Sequence, residues 1–434
     1  MNQDSRHDHL NPSSRRDFLK ASAVAGAALA TPWGSVANVH AAGSDVLRVG
    51  LIGCGGRGTG AASQALNADP HVKLIAMGDL FADRLRYSLD ELRKGEVAAK
   101  VDVKEDHCFV GWDAYKQVLA TPIDVVILAT PPHFRPAHLK AAVEAGKHIF
   151  AEKPVAVDAP GVRAVVAACA EARQRNLCLV SGLCYRYENA KRETMKRVHD
   201  GAIGDIVAMH TTYYMGSLWH KARQEGWSDM EWQCRNWLYF TWLSGDHIVE
   251  QHVHSLDKMA WAMQDQYPVK ATGTGGRQVR TGSEFGHIFD HHAVTFEFKN
   301  GVKCFSYCRQ QAGAANDVTD YIMGTQGTCD VMKHAVRGPN RWRWQAPDSL
   351  KDDMYQNEHN ELFASIRAGK PINNGDYMTR STLMAIMGRM ATYTGQVITW
   401  EQALHSREDL TPPKNEFGPL PVAEVARPGI TKFI

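Results

Sequence analysis

The chain has 434 residues, of which 44% are hydrophobic and 22% are charged, and its formal net charge is +2 at pH 7. This composition is that of a globular protein long enough for two domains, and it excludes a largely disordered chain. The near-neutral charge provides no general field for nucleic acid or for an acidic membrane surface, so a small molecule is the favoured partner.

The first forty residues have the features of an export signal. Paired arginines, Arg15 and Arg16, precede an apolar pair, and an uncharged, alanine-rich run follows over residues 21–30. This pattern is typical of a twin-arginine signal, and the run is too weakly apolar for a stable membrane span. The alternative is a basic tail on a cytoplasmic enzyme. We expect residues 1–42 to form a signal peptide and linker, which makes the twin-arginine export machinery a partner and the mature protein periplasmic or otherwise exported.

Nine cysteines are scattered along the chain, and an odd number cannot all pair. A twin-arginine substrate is exported already folded, so its thiols meet an oxidising compartment only after burial. We therefore expect mostly reduced, buried cysteines, with Cys304 and Cys308 as the one closely spaced pair.

From Leu47 onward, short apolar runs alternate with helical patterns. This alternation predicts a first domain over residues 45–183 in which crossover helices join the strands of a parallel sheet. The expected strands are 47–53, 72–77, 125–130, 148–151 and 178–181, and the expected helices are 59–68, 136–145 and a segment from Pro154 to Arg175.

Beyond residue 184 the strands become longer and crossovers fewer, which predicts an α+β domain over 184–434 with a mostly antiparallel sheet. Lys299-Asn300-Gly301 is a hairpin turn signal between two of these strands. Helices at 358–368 and 379–393 are expected to cover one face of the sheet or to return to the first domain. The expected strands are 207–214, 270–275, 292–299 and 302–309.

A glycine-rich turn follows the first predicted strand and precedes a helix. Gly53, Gly55 and Gly58 have the Gly-x-Gly-x-x-Gly spacing, with Gly56 and Arg57 between them. The first glycine permits the tight turn, the second lets a pyrophosphate approach the backbone, and the third allows the helix to pack on the strand. A chance glycine-rich loop is the alternative, but the position between strand and helix favours a dinucleotide site.

The second predicted strand ends near Asp79, at the distance from the glycines where an acidic residue accepts hydrogen bonds from the adenine ribose. A carboxylate there repels a 2′-phosphate and favours NAD over NADP. Arg57 and Arg84 are cations that weaken this preference. A surface-loop aspartate is the alternative interpretation of Asp79.

Polar residues also follow two later strands. Thr130, Pro131 and His133 follow one strand, and Glu152 and Lys153 follow the next. Ligands bind at the carboxyl ends of the strands in such sheets, so we predict that these residues contact the cofactor. Lys153 at this edge can also hydrogen-bond a substrate hydroxyl, because its ammonium is a strong donor. An exposed loop lysine is the alternative.

In combination, the glycine-rich turn, Thr130-Pro131-Pro132, Ala145-Gly146-Lys147-His148 and Glu152-Lys153-Pro154 resemble the glucose–fructose oxidoreductase/inositol dehydrogenase/MocA (Gfo/Idh/MocA) family. The resemblance spans nearly all of the mature chain. It implies a Rossmann domain, with a doubly wound parallel sheet, followed by an α+β domain with an open-faced sheet. It also implies a nicotinamide cofactor, a sugar, polyol or related substrate, a functional Lys153, and homo-oligomers that associate through the open sheet face.

The densest polar cluster lies at residues 245–257, where a helix places Glu250, His254 and Asp257 on one face. The family resemblance implies that Glu250 and His254 take the positions of a catalytic Asp and His. Oxidation of a carbinol requires loss of the hydroxyl proton, and imidazole has a suitable pKa. We predict His254 as the base, Lys153 as its electrostatic partner and Glu250 as an orienting group. A helix whose histidines bond within the core is the alternative.

Two further sets of residues bear on metal and sugar binding. No metal is predicted, because no pair of the neighbouring histidines has the spacing of a known zinc motif; these are His252, His287, His291 and His292. Side chains that suit a sugar ring and its hydroxyls, with core packing as the alternative, are Tyr185, Arg186, Tyr187, Trp237 and Asp257.

These observations predict an NAD-dependent oxidoreductase that moves hydride at a CH–OH carbon of a sugar or sugar derivative. Free nicotinamide is scarce outside the cytoplasm, so we expect a tightly retained cofactor and return of the hydride within the same site. Transhydrogenation between two substrates fits this expectation, and so does transient oxidation that enables hydrolysis or elimination. A sugar-binding protein without turnover is the alternative from another class, but it requires neither Lys153 nor His254.

Overall fold

The structure is a computed structural model that describes residues 45–347 and 350–434. The expected signal and linker at 1–42 lies outside the described residues. The elements of the first sheet and its helices are, in chain order, β1 (Leu47–Ile52), α1 (Gly56–Ala68), β2 (Val72–Asp79), α2 (Ala82–Lys94), β3 (Cys108–Val110), α3 (Ala114–Ala120), β4 (Val125–Leu128), α4 (Arg135–Glu144), β5 (His148–Ala151), α5 (Ala159–Gln174) and β6 (Leu179–Ser181).

All six strands of this sheet are parallel, in the order β3-β2-β1-β4-β5-β6. This is the doubly wound Rossmann order, and the ligand crevice of such sheets lies where the order reverses, beyond the ends of β1 and β4. Helices cover both faces, so residues on either face of these strands are apolar and buried, as the adjacent residues Val125 and Val126 of β4 are. The predicted parallel fold is confirmed.

The second half of the chain forms a nine-stranded sheet with its own helices. Its elements are α6 (Asn189–His199), β7 (Ile206–Met215), α7 (Asp229–Arg235), α8 (Thr241–Ser244), α9 (His247–Glu250), α10 (Val253–Ala262), β8 (Lys270–Gly276), β9 (His291–Glu297), β10 (Lys303–Gln310), β11 (Asp317–Gly324), β12 (Thr328–Asp330), β13 (Ala335–Arg337), β14 (Trp342–Arg343), α11 (Met354–Ala368), α12 (Gly375–Thr394), β15 (Ile398–Thr399) and α13 (Trp400–His405).

The strand order of this sheet is β14-β13-β12-β11-β7-β10-β9-β8-β15, and β7 with β10 is the parallel pair among otherwise antiparallel neighbours of the described chain. Burial alternates along β10, where Cys304, Ser306 and Cys308 are buried while Phe305 and Tyr307 are partly exposed. One face therefore packs on helices and the other is open, as predicted. Homo-oligomerisation through the open face stays a prediction.

The two long C-terminal helices pack against different parts of the molecule. α11 lies against α1 of the Rossmann domain, where Leu362, Phe363 and Ile366 join the apolar core that also contains Leu66. α12 is buried along most of its length between β8 of the second sheet and α5 of the first. Two helices of the C-terminal region thus pack on the Rossmann domain.

All nine cysteines are free, and eight of them are buried, with Cys108 partly exposed. This confirms the expectation of reduced, buried thiols. Within residues 45–347 and 350–434, no helix combines the length and the apolar character needed to cross a membrane.

Candidate active site

A cavity of about 470 Å³ opens at the carboxyl ends of β1, β2 and β4. We call it the cofactor cleft. Eight of the residues predicted to bind the cofactor line it, namely Gly53, Gly55, Gly56, Arg57, Gly58, Asp79, Thr130 and Pro131.

The backbone of the glycine-rich turn fits a pyrophosphate. Gly53 has a φ of +98°, and a Cβ there would lie 2.5 Å from the backbone carbon of Ala129. A Cβ on Gly58 would lie 1.9 Å from the carbonyl oxygen of Gly53, so close packing of α1 on β1 requires glycine. A Cβ on Gly56 would meet nothing within 4 Å, which leaves open space in front of the N-terminus of α1. The turn therefore fits the dinucleotide expected from the sequence.

Asp79 is buried at the end of β2, within the wall of the cofactor cleft. Its Oδ2 accepts a hydrogen bond from the backbone N–H of Cys54 at 2.6 Å, and its Oδ1 accepts one from Phe81 at 2.9 Å. Burial raises the pKa of this carboxyl. Each oxygen keeps a second lone pair, so the side chain ties the turn to β2 and still has acceptor capacity for a ribose hydroxyl.

A second cavity, of about 320 Å³, adjoins the first. We call it the substrate cavity. Arg57, Ala129, Thr130 and Trp237 line both cavities. Four of the predicted site residues form its polar wall, namely Glu152, Lys153, Glu250 and His254.

Lys153 and Glu250 form an ion pair at the boundary between the two halves of the molecule. The Nζ of Lys153 lies 3.0 Å from Oε1 of Glu250 and 2.7 Å from its backbone oxygen, and each side chain is 15% exposed. Burial lowers the pKa of Lys153, but the carboxylates of Glu250 and Glu152 outweigh burial and hold the pKa above its usual value. Lys153 is therefore an ammonium at neutral pH.

His254 has an environment that favours its neutral form, whereas that of Lys153 favours the charged form. Its Nδ1 is buried and has no hydrogen-bond partner among the described residues, and its ring meets the ring of Tyr185 edge-on at 5.4 Å. Burial, followed by the positive charges of Lys153, Lys258 and Arg57, holds its pKa well below the usual range. The imidazole is thus neutral at neutral pH and can accept a proton.

The predicted continuous helix over 245–257 is wrong. The structure has two short helices, α9 and α10, with a break at Gln251 and His252. The N–H of His252 donates to the carbonyl of His247, five residues back, at 3.1 Å, and Nε2 of the buried His252 ring hydrogen-bonds Oγ of Ser306 on β10 at 2.7 Å. This wide turn accommodates the anchored His252 ring, and Asp257 does not line the substrate cavity together with His254.

Most of the residues predicted to contact the substrate do not line the substrate cavity. Arg186 and Asp257 form a buried bidentate ion pair, with Nε and Nη2 each 2.9 Å from a carboxylate oxygen, and Asp265 pairs with the same guanidinium. The hydroxyl of Tyr187 donates to Asn374 at 2.7 Å. Tyr185 contacts His254 but does not line either cavity. Of the predicted substrate residues, Trp237 lines the substrate cavity.

His133, predicted to contact the cofactor, lines neither cavity. Its ring packs edge-on against Phe134 and Trp242, with centroids 4.9 and 5.0 Å away. Burial lowers its pKa to about 4, so it is a neutral packing residue.

Two residues of α11 at the site, Tyr355 and Glu358, are not predicted from the sequence. Arg57 pairs through Nε with Glu152 and through Nη2 with Glu358 at 3.1 Å, and its guanidinium lies 4.8 Å from the ring centre of Tyr355. Tyr355 lines the substrate cavity. No local motif marks Tyr355 or Glu358, because their partner Arg57 is about 300 positions away along the chain.

Three possible metal ligands, Asp246, His247 and His292, are buried with their ligand atoms within 4.8 Å of one another. Only His292 belongs to the four histidines considered from sequence. Oδ2 of Asp246 accepts hydrogen bonds from the N–H of Phe289 at 2.9 Å and from the hydroxyl of Tyr393 at 2.6 Å. The carboxylate therefore links the N-terminus of α9, the segment just before β9, and α12 through hydrogen bonds.

The Rossmann sheet, the glycine turn and the adjoining cavity together define a dinucleotide-binding protein. Residues 47–180 match the oxidoreductase family with an NAD-binding Rossmann fold, and residues 192–330 match the Gfo/Idh/MocA C-terminal domain. The chain belongs to the Gfo/Idh/MocA family, and NAD is its cofactor class. Residues 12–32, outside the described part of the chain, match the signal sequence of the twin-arginine translocation pathway, which indicates export by that route.

Two relatives and one solved structure illustrate the similarity. Inositol 2-dehydrogenase 4 of Saccharopolyspora erythraea is 30% identical over 65% of this chain and 78% of its own length. The 2,7-anhydro-N-acetylneuraminate hydratase of Escherichia coli is 28% identical over 50% of this chain and 54% of its own length. The chain spans about half the length of several such curated relatives.

The solved structure is that of scyllo-inositol dehydrogenase from Lactobacillus casei with bound NAD(H) and scyllo-inositol. It superposes with a TM-score of 0.63 at 18% identity, and the match covers 82% of this chain and 99% of the other. At this identity the similarity shows the shared fold.

Proposed function

We propose that the protein is an NAD-dependent oxidoreductase that acts on a CH–OH carbon of a sugar, polyol or sugar derivative. One observation carries the proposal: an ammonium, a carboxylate and a neutral imidazole meet in a cavity that shares a wall with the cofactor cleft. Alcohol oxidation needs such a set of groups, because the hydroxyl must lose its proton as the carbon loses hydride.

In the proposed mechanism, the neutral His254 accepts the hydroxyl proton. Lys153 donates a hydrogen bond to the same oxygen and stabilises the negative charge that develops on it. Glu250 keeps Lys153 charged and fixes its position through two contacts. Bound NAD supplies the hydride acceptor, and the aromatic side chains of Trp237 and Tyr355 provide walls for a sugar ring.

The catalytic roles are tested with Lys153→Met and His254→Ala, measured with a panel of sugars and polyols. We expect both variants to lose at least a hundredfold in kcat while they retain the fold and nucleotide binding. Lys116→Met is a matched control, since Lys116 is an exposed lysine that pairs with Asp113 and lines neither cavity. Unchanged turnover in the first two variants would overturn the assignment, and a wild-type protein that binds sugar without turnover would be a binding protein.

We further propose that the cofactor is retained and that its hydride returns to a substrate in the same site. The export signal supports this, because free nicotinamide is scarce where the protein is delivered. Mass analysis of the exported protein, purified without added nucleotide, tests the idea. Stoichiometric NAD after dialysis is the expected result, and an empty site would indicate an ordinary dehydrogenase with exchanging cofactor.

A redox-neutral reaction, elimination or hydration through a transient ketone, is the second candidate. The similarity to a hydratase from Escherichia coli supports it. Product analysis separates the two: transhydrogenation oxidises one sugar and reduces another, whereas the redox-neutral route leaves every product at the oxidation level of the substrate.

A further inference from the structure

Two cations line the cofactor cleft together with Asp79. Arg84 lies on α2 of the Rossmann domain, and Lys221 belongs to the segment between β7 and α7 in the second half of the chain. Both line the cleft. Within the described ranges 45–347 and 350–434, neither side chain has an ion-pair partner or a side-chain hydrogen bond. Cations left without an anion at the wall of a ligand cleft are suited to an anionic ligand.

The position of Arg84 relates it to the glycine turn. Its Nη1 lies 3.8 Å from the place where a Cβ on Gly55 would stand. Asp79 is near enough for the positive charge of Arg84 to lower its pKa, against the larger effect of burial. The guanidinium therefore lies beside the backbone that approaches a pyrophosphate and next to the carboxylate that faces the ribose.

Lys221 is held over the cleft by buried groups. Its backbone N–H donates to Oδ1 of Asn236 at 2.6 Å, and its carbonyl accepts from Nδ2 of Asn236 at 3.0 Å. Just upstream, the hydroxyl of Tyr239 donates to the carbonyls of Leu218 and Trp219. Asn236 and Tyr239 are fully buried. Two buried polar side chains thus fix an irregular segment whose outward face lines the cofactor cleft.

The two cations, together with Arg235, are close enough to repel one another. Burial lowers the pKa of Lys221, and the positive charges of Arg84 and Arg235 lower it further. Arg235 forms ion pairs with Asp83 and Glu231. Arg84 and Lys221 form no ion pair among the described residues, and the carboxylates of Asp79 and Asp83 act on them only from a longer distance. A phosphate group between Arg84 and Lys221 would relieve this repulsion.

We propose that Arg84 and Lys221 form a phosphate clamp that holds a phosphoryl group of the dinucleotide from both halves of the chain. The inference rests on the proposed dinucleotide site and adds to it residues that slow cofactor release. The phosphoryl group belongs to the pyrophosphate, because Arg84 adjoins Gly55 and the carboxylate of Asp79 disfavours a 2′-phosphate in the same space.

The test is titration of the nucleotide-free mature protein with NAD, NADP and adenosine, for wild type, Arg84→Gln and Lys221→Gln. We expect each variant to bind NAD and NADP at least tenfold more weakly, with adenosine binding unchanged because adenosine has no phosphate. Arg86→Gln is the control, since Arg86 lies on the same helix but is exposed and pairs with Glu105.

Equal losses for NAD and NADP assign the clamp to the pyrophosphate, and a loss confined to NADP supports a clamp that holds the 2′-phosphate instead. Unchanged NAD and NADP affinities in both variants, or an equal loss for adenosine, would overturn the clamp while leaving the dinucleotide site intact. A wild-type protein that binds neither dinucleotide would overturn the proposed function as well.

Discussion

Replacement of Glu250 by glutamine removes the charge that holds Lys153 in its ammonium form. At 3.0 Å and an effective dielectric constant of about 20, the attraction between the two groups is about 5.5 kcal/mol, part of which offsets their desolvation. The contact from Nζ to the backbone oxygen of Glu250 at 2.7 Å survives the substitution, so the lysine stays in place. The pKa of Lys153 therefore falls, because burial lowers it and the charge of Glu250, which raises it, is gone.

The assay is the pH profile of the rate at which a sugar reduces the bound nicotinamide in a single turnover, followed by nicotinamide absorbance. Activity that requires charged Lys153 declines as the pH rises through its pKa, so Glu250→Gln is expected to move this alkaline decline to lower pH and to reduce the rate about a hundredfold at pH 8. Glu250→Asp retains the charge and is expected to retain the alkaline limb near its original pH.

Glu297→Gln is the control, because it breaks a comparable lysine–carboxylate pair, at 3.2 Å from Lys270, that is partly exposed and lines neither cavity. An alkaline limb that is identical in wild type and Glu250→Gln would refute the claim that Glu250 sets the charge of Lys153.

Three further predictions follow from the site and core. His254→Gln should lower kcat by roughly a factor of 10² to 10⁴ without weakening nucleotide binding, and wild-type kcat would contradict its role as base. Gly53→Ala should abolish nucleotide binding and lower Tm, because its Cβ would overlap backbone atoms of Ala129, whereas Gly201→Ala, also at positive φ but facing open space, should keep binding. Phe363→Ala, at a side chain 1% exposed, should cost about 3–5 kcal/mol in urea unfolding; a loss under about 1 kcal/mol would show that α11 contributes little to the Rossmann core.

The parts of the site that sequence could predict are those set by local pattern and sheet geometry. Gly53 lies between a strand and a helix, Gly58 lies in the first turn of that helix, and their roles follow from that context alone. Lys153 follows β5, and parallel strands bring their carboxyl ends to one edge, so its place beside the cofactor cleft was predictable. Glu250 and His254 reach the same cavity although the helix expected to carry them is broken.

Other parts depend on tertiary contacts that no local pattern encodes. Asp257 fits the helical spacing, yet the turn at His252 and the pairing with Arg186 bury it away from the cavity. Tyr355 and Lys221 reach the site through α11 and through an irregular segment fixed by buried side chains. Their positions depend on how the second half of the chain packs on the first. The periodicity of apolar residues along the sequence does not reveal that packing.

The opposite protonation states of His254 and Lys153 have a consequence for closed-cycle chemistry. The same charges that keep the imidazole neutral, those of Lys153, Lys258 and Arg57, destabilise the imidazolium that forms once the hydroxyl proton has been accepted. An imidazolium in this environment is a stronger acid than free imidazolium, so it returns its proton readily to the oxygen of a carbonyl that receives hydride. Nδ1 of His254 is buried and has no hydrogen-bond partner among the described groups to which it could pass a proton. The low pKa of His254 thus makes it a weaker base for taking the hydroxyl proton and a stronger acid for giving it back, and return of hydride within one site demands the second of these steps.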